Sequence, residues 1–325
     1  MKKVLVLILS VAFFASINFA IWKTVTSRVG NNFSGATQIK MIDVRSYLPF
    51  EEGSALAHVD TDLKITGDLP KMDGAAALVP IYASVIDNIY PEGCVTYEGG
   101  VFDDDNYYGE NFAPDSAMQY KNTVRGFNAV VDGDTDIFLT AHPSAEQMEY
   151  AASKGVELEL IPIGREAFVF FVNKDNPIDG LKASEIRDIY AGNITNWKEV
   201  GGPDRMINPL TRIAGSGSQT MMDKFMGDVK TVQRSPLAIF GGSLGYSFRF
   251  YLAGMVANKD VKMISIDGIS PDIESIKDGS YPLTAQFYAV YRKDNTNPNV
   301  KTVMDFLLSS EGQDLIEQVG YAGLN

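Results

Sequence analysis

The chain is poor in the residues that build disulfide frameworks and metal centres. It contains a single cysteine, Cys94, and two histidines, His58 and His142. A disulfide within the chain needs two cysteines, so none can form. A structural zinc site needs about four cysteine or histidine ligands, which nearly excludes such a site. We therefore expect no metal and no cofactor, and we expect Cys94 to be a small buried apolar residue.

Positive charge is also scarce. The 28 lysines and arginines are outnumbered by 41 aspartates and glutamates, which gives a formal net charge of −13. Nucleic-acid binding requires a basic surface, so the composition argues against a nucleic-acid partner, and the acidity is better explained by solubility. At 325 residues the chain is long enough for two lobes, since domains usually run to about 100–200 residues. We expect a monomer.

The first residues combine positive charge with a long apolar run. Two lysines precede residues 4–22, whose only polar members are serine and asparagine. This pattern is typical of an export signal or a membrane anchor, and the lysines favour a cytoplasmic N-terminus with the rest of the chain outside. No cysteine follows the run, which excludes a lipoprotein anchor. We expect residues 1–24 to be an export signal or anchor, and residues 25–65 to be a linker and an extended arm. The protein would then be extracytoplasmic, either anchored or secreted after cleavage.

Further along, helical and strand-like segments alternate. Residues 73–90 begin with a glycine turn and continue with apolar residues at helical spacing, and residues 122–140 predict a helix, a turn and a buried strand. Segments rich in β-branched and aromatic residues predict strands at 158–163, 166–173 and 287–293. The alternation indicates an α/β fold with helices on both faces of a sheet.

Small or hydroxyl-bearing residues lead into an inferred helix at 73–77, 122–123 and 215–220. The first turn of a helix leaves backbone N–H groups unpaired, and the helix dipole adds partial positive charge there. Such junctions are typical of phosphate or sulfate sites, although ordinary helix capping explains each one taken alone. Arg212, just ahead of the third junction, favours an anion because a guanidinium pairs bidentately with a tetrahedral oxyanion.

The segment R-I-A-G-S-G-S at 212–218 resembles the R-x-x-G-S-G-[ST] loop of the phosphate-binding proteins that feed ATP-driven phosphate transporters. Other segments resemble that family in the right order, and they lie at 73–91, 167–178, 189–202, 245–251 and 307–321. The resemblance spans about residues 40–325. It implies an α/β, two-lobed periplasmic-binding fold of type II, with the anion held in a cleft between the lobes.

The same resemblance implies where the chain divides. Lobe one would comprise residues 66–166 and 284–325, and lobe two would comprise residues 174–281. The chain would cross between the lobes at 167–173 and 281–286. The implied partner is a membrane permease of the ABC type.

The resemblance also implies a set of ligand-binding residues. They are Ala76, Ala77, Thr123, Arg212, Ser216, Gly217 and Ser218. The family usually has threonine where this chain has Ala76, so a backbone donor is retained at that position and a hydroxyl donor is lost.

A second departure concerns the acceptor that family members place against phosphate. Where well-known members have an aspartate, this chain has Ala141 and His142. An acceptor favours monohydrogen phosphate, which carries a proton, over sulfate, which carries none, because an unpaired buried acceptor is costly. The acceptor here is His142, Asp73 or Asp136, or it is missing. We include His142 among the ligand-binding candidates, although it also fits an ordinary surface loop residue.

An enzymatic interpretation has weaker support. The segment GGSLG at 241–245 matches a G-x-S-x-G nucleophile elbow, but both histidines precede Ser243, whereas hydrolases of that type place histidine last. We interpret the segment as a glycine-rich turn. No P-loop lysine follows the glycines at 215–217, which argues against nucleotide hydrolysis. The sequence therefore indicates a non-enzymatic binding protein for an inorganic oxyanion, phosphate first. The alternative is a surface sensor or adhesion protein on the same fold with weakened or altered anion binding.

Overall fold

The structure is a computed structural model that describes residues 43–99, 112–212, 216–232, 241–255 and 259–324. The segment expected to be an export signal or anchor, residues 1–24, lies outside these residues, as does the first part of the expected linker. Among the described residues, no helix is both long and apolar enough to span a bilayer.

Helices and strands alternate along much of the chain. The strands are β1 (Met72–Gly74), β2 (Ile137–Ala141), β3 (Leu158–Asn173), β4 (Gly180–Leu181), β5 (Ile207–Pro209), β6 (Gly242–Phe248), β7 (Val261–Met263), β8 (Ser265–Ile266) and β9 (Thr284–Arg292). The helices are α1 (Val79–Ile89), α2 (Asn122–Asp132), α3 (Ala145–Ser153), α4 (Ala183–Tyr190), α5 (Gly217–Met226), α6 (Ile273–Lys277), α7 (Pro298–Leu308) and α8 (Ser310–Val319). The predicted α/β class is confirmed.

Most strands join one sheet in the order β1-β2-β9-β3-β6-β5, and β7 also pairs with β3. The β1–β2 and β5–β6 pairs are parallel, whereas β9 is antiparallel to both β2 and β3. Parallel strands bring their carboxyl ends to the same edge, which is where ligands of α/β sheets bind. The sheet therefore has two such edges, one at each parallel pair.

Strand β3 links the two halves of the sheet. Its residues from Leu158 to Ala167 pair with β9, and its residues from Phe168 onwards pair with β6 and β7. The two segments predicted as strands, 158–163 and 166–173, are confirmed, and both belong to this one continuous strand. A register shift between Pro162 and Gly164 absorbs the proline within one continuous strand.

The first half of the sheet is covered on both faces, as predicted. In β2, Ile137 and Leu139 pack into a core formed with α1, α7 and α8, while Phe138 packs against Phe127 of α2 on the other face. Successive strand residues point to opposite faces, so this alternation follows from the strand geometry. A second core, which includes Trp197 of the loop after α4, surrounds the other half of β3.

Cys94 departs from expectation. It is half-buried and packs at the edge of the first core rather than inside it. Burial nonetheless raises the pKa of its thiol to about 11, so the thiol stays protonated and weakly nucleophilic at neutral pH.

Candidate functional site

The carboxyl ends of β1 and β2 bring two of the candidate loops to one edge of the sheet. Gly74 lies opposite Leu139 in the parallel pair, and the Ala75 N–H donates to the Leu139 carbonyl at 2.8 Å. Ala76 and Ala77 follow β1 after the single residue Ala75, and His142 follows β2 directly. These residues, 65 or more positions apart in sequence, therefore lie on neighbouring loops.

The loop after β1 is a single tight turn that leads into α1. Residues Ala76–Leu78 form a 3-10 turn, and Ala75 caps it without any side-chain hydrogen bond. The Leu78 N–H donates to the Ala75 carbonyl at 2.8 Å, and the Ala75 N–H is already used. The turn therefore presents the N–H groups of Ala76 and Ala77 as its donors. Because both side chains are methyl groups, an anion can approach these N–H groups.

The start of α2 is tied to the same edge. The Lys121 N–H donates to Asp73 Oδ1 at 3.2 Å, which holds the entrance of α2 against the end of β1. Asn122 has a positive φ of 67°, and its Oδ1 accepts from the Thr123 N–H at 2.5 Å. Because that N–H is already used, the donor that half-buried Thr123 brings to the edge is its hydroxyl. Ala76, Ala77, Thr123 and His142 therefore lie at the same edge of the sheet.

Asp73 lies directly beneath this edge. It is fully buried, and its Oδ1 accepts from the N–H groups of Gly74 at 2.7 Å and Lys121 at 3.2 Å. Its Oδ2 is buried without a hydrogen-bond partner in the described part of the chain, and it faces Gly126 of α2. Burial raises the pKa of Asp73 to about 7, against the opposing effect of the two backbone hydrogen bonds.

The other two acceptor candidates differ in position. Asp136 precedes β2, and its carboxylate accepts from the Lys71 N–H and from Asn295 Nδ2, each at 2.8 Å. It therefore lies at the amino end of β2, away from the edge that carries Ala76. His142 is exposed at the correct edge, with Nδ1 2.9 Å from the Pro143 carbonyl oxygen and its ring against Tyr288. If Nδ1 carries the proton and donates it, Nε2 is left as an acceptor.

The second group of candidates lies at the other parallel pair, β5–β6. The Arg212 N–H lies 3.1 Å from Gln219 Oε1 and 3.0 Å from the Tyr246 hydroxyl. These bonds fix the Arg212 backbone to the first turn of α5 and to β6. Arg212 is half-buried, and its guanidinium forms no ion pair or hydrogen bond within the described ranges.

Ser216, Gly217 and Ser218 form the start of α5. Ser216 is its N-cap, and Ser216 Oγ accepts from the Gln219 N–H at 3.3 Å. Ser216 is therefore an ordinary helix cap. Its hydroxyl hydrogen is not used in this bond and remains able to donate to a ligand. A Cβ at Gly217 would lie 3.5 Å from Phe248, an ordinary contact, so packing alone does not require glycine there. Gly215, the first residue of this junction, lies outside the described residues.

The GGSLG segment is not a nucleophile elbow, and it is not the predicted turn either. Its residues from Gly242 onwards belong to β6, and Asn208 Nδ2 donates to Ser243 Oγ at 3.3 Å. A nucleophile elbow requires a sharp turn between a strand and a helix. Ser243 is therefore an ordinary strand residue that pairs with the neighbouring β5.

Comparison with known proteins places the chain in a family. A profile of the PBP superfamily domain matches residues 105–311, so the chain belongs to this superfamily. It is 28% identical to the phosphate-binding protein PstS of Staphylococcus epidermidis strain RP62A over 61% of this chain and 67% of that protein. It is also 28% identical to PstS of Bacillus subtilis, over 59% of this chain and 64% of that protein. The chain thus spans about two thirds of the length of these relatives.

Solved structures show the same fold. A Clostridium perfringens protein, described as a phosphate ABC transporter substrate-binding protein with bound phosphate, superimposes with a TM-score of 0.58 at 22% identity. The match covers 79% of this chain and 99% of that one. An ABC-type phosphate transport receptor from Vibrio cholerae gives a TM-score of 0.53 at 21% identity, over 78% of this chain and 99% of that one. The fold predicted from the sequence is confirmed.

Proposed function

We propose that this member of the PBP superfamily is an extracytoplasmic solute-binding protein that captures inorganic phosphate for an ABC-type permease. The observation that carries the proposal is the shared edge of β1 and β2, where Ala76, Ala77 and Thr123 meet. Two helix starts lead to that edge, and the Asp73 carboxyl group beneath them is buried, which suits a tetrahedral anion. The relatives that are named as phosphate-binding proteins support phosphate as that anion.

In this proposal the anion lies between two half-sites. The first half-site is the β1–β2 edge, and the second is the start of α5 with Arg212. The first belongs to the lobe formed by residues 66–166 and 284–325, and the second to the lobe formed by residues 174–281. The passage of β3 from β9 to β6 near Ala167 supports a crossing at 167–173, with the second crossing at 281–286. Closure of the lobes around the ligand is the usual motion of such folds.

Residues 1–24 export the protein or anchor it, so that it works outside the cytoplasm as a monomer. It delivers phosphate to the permease and performs no chemistry on it. The half-buried Arg212 guanidinium and the donor-rich helix starts bind an anion, whereas Ser243 lies in a strand, where its hydroxyl accepts a hydrogen bond from Asn208.

Isothermal titration calorimetry of the purified protein with phosphate tests this function. We expect saturable binding of one phosphate per chain. A protein that is folded by circular dichroism but releases no heat with phosphate would contradict the proposal, and it would favour the alternative of a surface sensor or adhesion protein.

Selectivity between phosphate and sulfate provides a further prediction. The donors of the two half-sites suit both anions, so only an acceptor separates them. We expect this protein to prefer phosphate, but to reject sulfate less strongly than family members that carry the aspartate. A neutral imidazole accepts through one nitrogen and a protonated imidazole only donates. If His142 is the acceptor, the preference for phosphate should therefore fall as acidification protonates it.

Paired phosphate and sulfate titrations at several pH values measure this preference. His142→Gln is the matched control, because a glutamine retains an acceptor that does not titrate in this range. Strong sulfate rejection that survives His142→Ala would rule out His142. It would leave Asp73, whose buried Oδ2 has no partner among the described residues, as the acceptor.

A further inference from the structure

The segment that follows α8 lies between the two cores of the molecule. Tyr321 packs into the first core with 2% of its surface exposed, and the next residue, Ala322, packs into the second with 1% exposed. Ala322 also pairs with Arg165 of β3. The Arg165 N–H donates to the Ala322 carbonyl at 2.7 Å, and the Ala322 N–H donates back at 3.2 Å. The segment is therefore anchored to the strand that links the two halves of the sheet.

From this anchored position Tyr321 reaches the first half-site. Its hydroxyl donates to the carbonyl oxygen of Ala77 at 2.5 Å. The two residues are 244 positions apart in sequence. Ala77 belongs to the turn that begins α1, so a side chain from the end of the described chain contacts the backbone of a candidate anion loop.

The ring of Tyr321 is held from two sides. It lies 5.0 Å from the ring of Phe287, which is paired with Ala141 at the end of β2. It lies 4.4 Å from the ring of Phe250, which comes shortly after the end of β6 at Phe248. The Phe250 N–H donates to the buried carboxyl group of Glu166 at 3.2 Å. The Tyr321 hydroxyl is thus fixed in direction by residues from both halves of the molecule.

This hydrogen bond controls the direction of the turn that would bind the anion. In a helical turn the carbonyls and the N–H groups point in opposite directions along the axis. A fixed Ala77 carbonyl therefore fixes the axis along which the N–H groups of Ala76 and Ala77 point. Preorganised donors bind an anion more tightly than donors that must first be ordered.

We propose that Tyr321 is a positioning residue of the anion site, which orients the Ala76–Ala77 turn through the Ala77 carbonyl without touching the anion. This inference rests on the proposed function, since it concerns the affinity for phosphate. The same contacts link the turn to Phe250, which follows the strand whose Phe248 lies beside Gly217 of the second half-site.

The test compares two buried tyrosines whose hydroxyls donate to different backbone carbonyls, one in the candidate anion loop and one away from it. Tyr321→Phe removes the bond to Ala77 and keeps the ring. Tyr90→Phe is the matched control, because Tyr90 is also 2% exposed and its hydroxyl donates to the Pro70 carbonyl at 3.0 Å. Tyr90 lies at the far end of α1, away from the anion loop. Each variant loses one buried tyrosine-to-carbonyl hydrogen bond.

Phosphate titration and thermal unfolding are measured for wild type and both variants. We expect Tyr321→Phe to raise the Kd for phosphate roughly three- to tenfold, the value of one hydrogen bond. Tyr90→Phe should leave the Kd unchanged, while both variants lose similar thermal stability. An unchanged Kd in Tyr321→Phe, or an equal rise in both variants, would overturn the inference and leave the proposed function intact. If wild type itself binds no phosphate, the proposed function fails and this inference fails with it.

Discussion

Arg212→Ala is expected to weaken phosphate binding by at least about tenfold while leaving the fold intact. The Arg212 backbone is held by Gln219 and Tyr246 through its N–H group, so loss of the side chain leaves the loop in place. The guanidinium makes no bond within the described residues that would be lost. Hydrogen bonds to charged groups are worth about 1.5–3 kcal/mol each, and about 1.4 kcal/mol corresponds to a factor of ten.

Two further variants separate the geometry of Arg212 from its charge. Arg212→Lys keeps the charge but loses bidentate pairing, so an intermediate affinity is expected. Lys224→Ala removes one positive charge from an exposed position near the end of α5, and it should leave the affinity nearly unchanged. Calorimetric titration of each variant gives the affinities. If Arg212→Ala binds as tightly as wild type, the second half-site is assigned wrongly.

Asp73→Asn is expected to remove a pH-dependent loss of stability. In wild type the free energy of unfolding should fall as the pH rises, and in the variant this fall should be smaller. The pKa of Asp73 is raised from 3.8 to about 7 in the folded protein because the carboxyl is fully buried. The folded state therefore retains a proton that the unfolded state has already released between these values. The contribution of this carboxyl to stability is complete below pH 3.8 and is lost as the pH rises to about 7. Each pH unit in that interval costs at most about 1.4 kcal/mol.

Asparagine resembles the protonated carboxyl and does not titrate. The free energy of unfolding of the variant, relative to that of wild type, should therefore rise steadily from pH 5 to pH 7 and stay constant above pH 7. Denaturant unfolding at several pH values measures the difference. Glu166→Gln provides a comparison, because burial also raises the pKa of Glu166 to about 7. A difference between wild type and Asp73→Asn that stays constant across this range would show that the carboxyl is ionised throughout.

The buried carboxyl also has a consequence for binding. Asp73 lies beneath a half-site that would hold a dianion, and a negative charge there would repel it. Retention of the proton at Asp73 up to about pH 7 lowers this repulsion while Oδ1 still ties Lys121 to the end of β1. Below about pH 7 the same residue thus connects the two helix starts without adding a negative charge.

The elements that depend on local patterns could be predicted from the sequence. The helix after Gly74, the helix–turn–strand at 122–140 and the small residues at the helix starts all follow from spacing and from residue size. The resemblance to phosphate-binding proteins added the order of these elements along the chain. The family and the fold were predicted correctly on that basis.

The elements that depend on tertiary contacts could not be predicted. The segments 158–163 and 166–173 were each predicted as strands, but their continuity in β3 depends on a register shift against β9 near Pro162. The glycines of GGSLG suggested a turn, but neighbouring strands draw the segment into β6. The bond between Tyr321 and Ala77 joins residues that no local pattern connects. The burial of Asp73 likewise depends on α2 packing against β1, which the sequence alone does not specify.

A crystal structure of the protein grown with phosphate tests the central claim most directly. The account predicts one tetrahedral anion that contacts the N–H groups of Ala76 and Ala77, the Thr123 hydroxyl, the Arg212 guanidinium and the residues from Ser216 to Ser218. An anion bound elsewhere, with the β1–β2 edge and the start of α5 making no contact to it, would contradict the account.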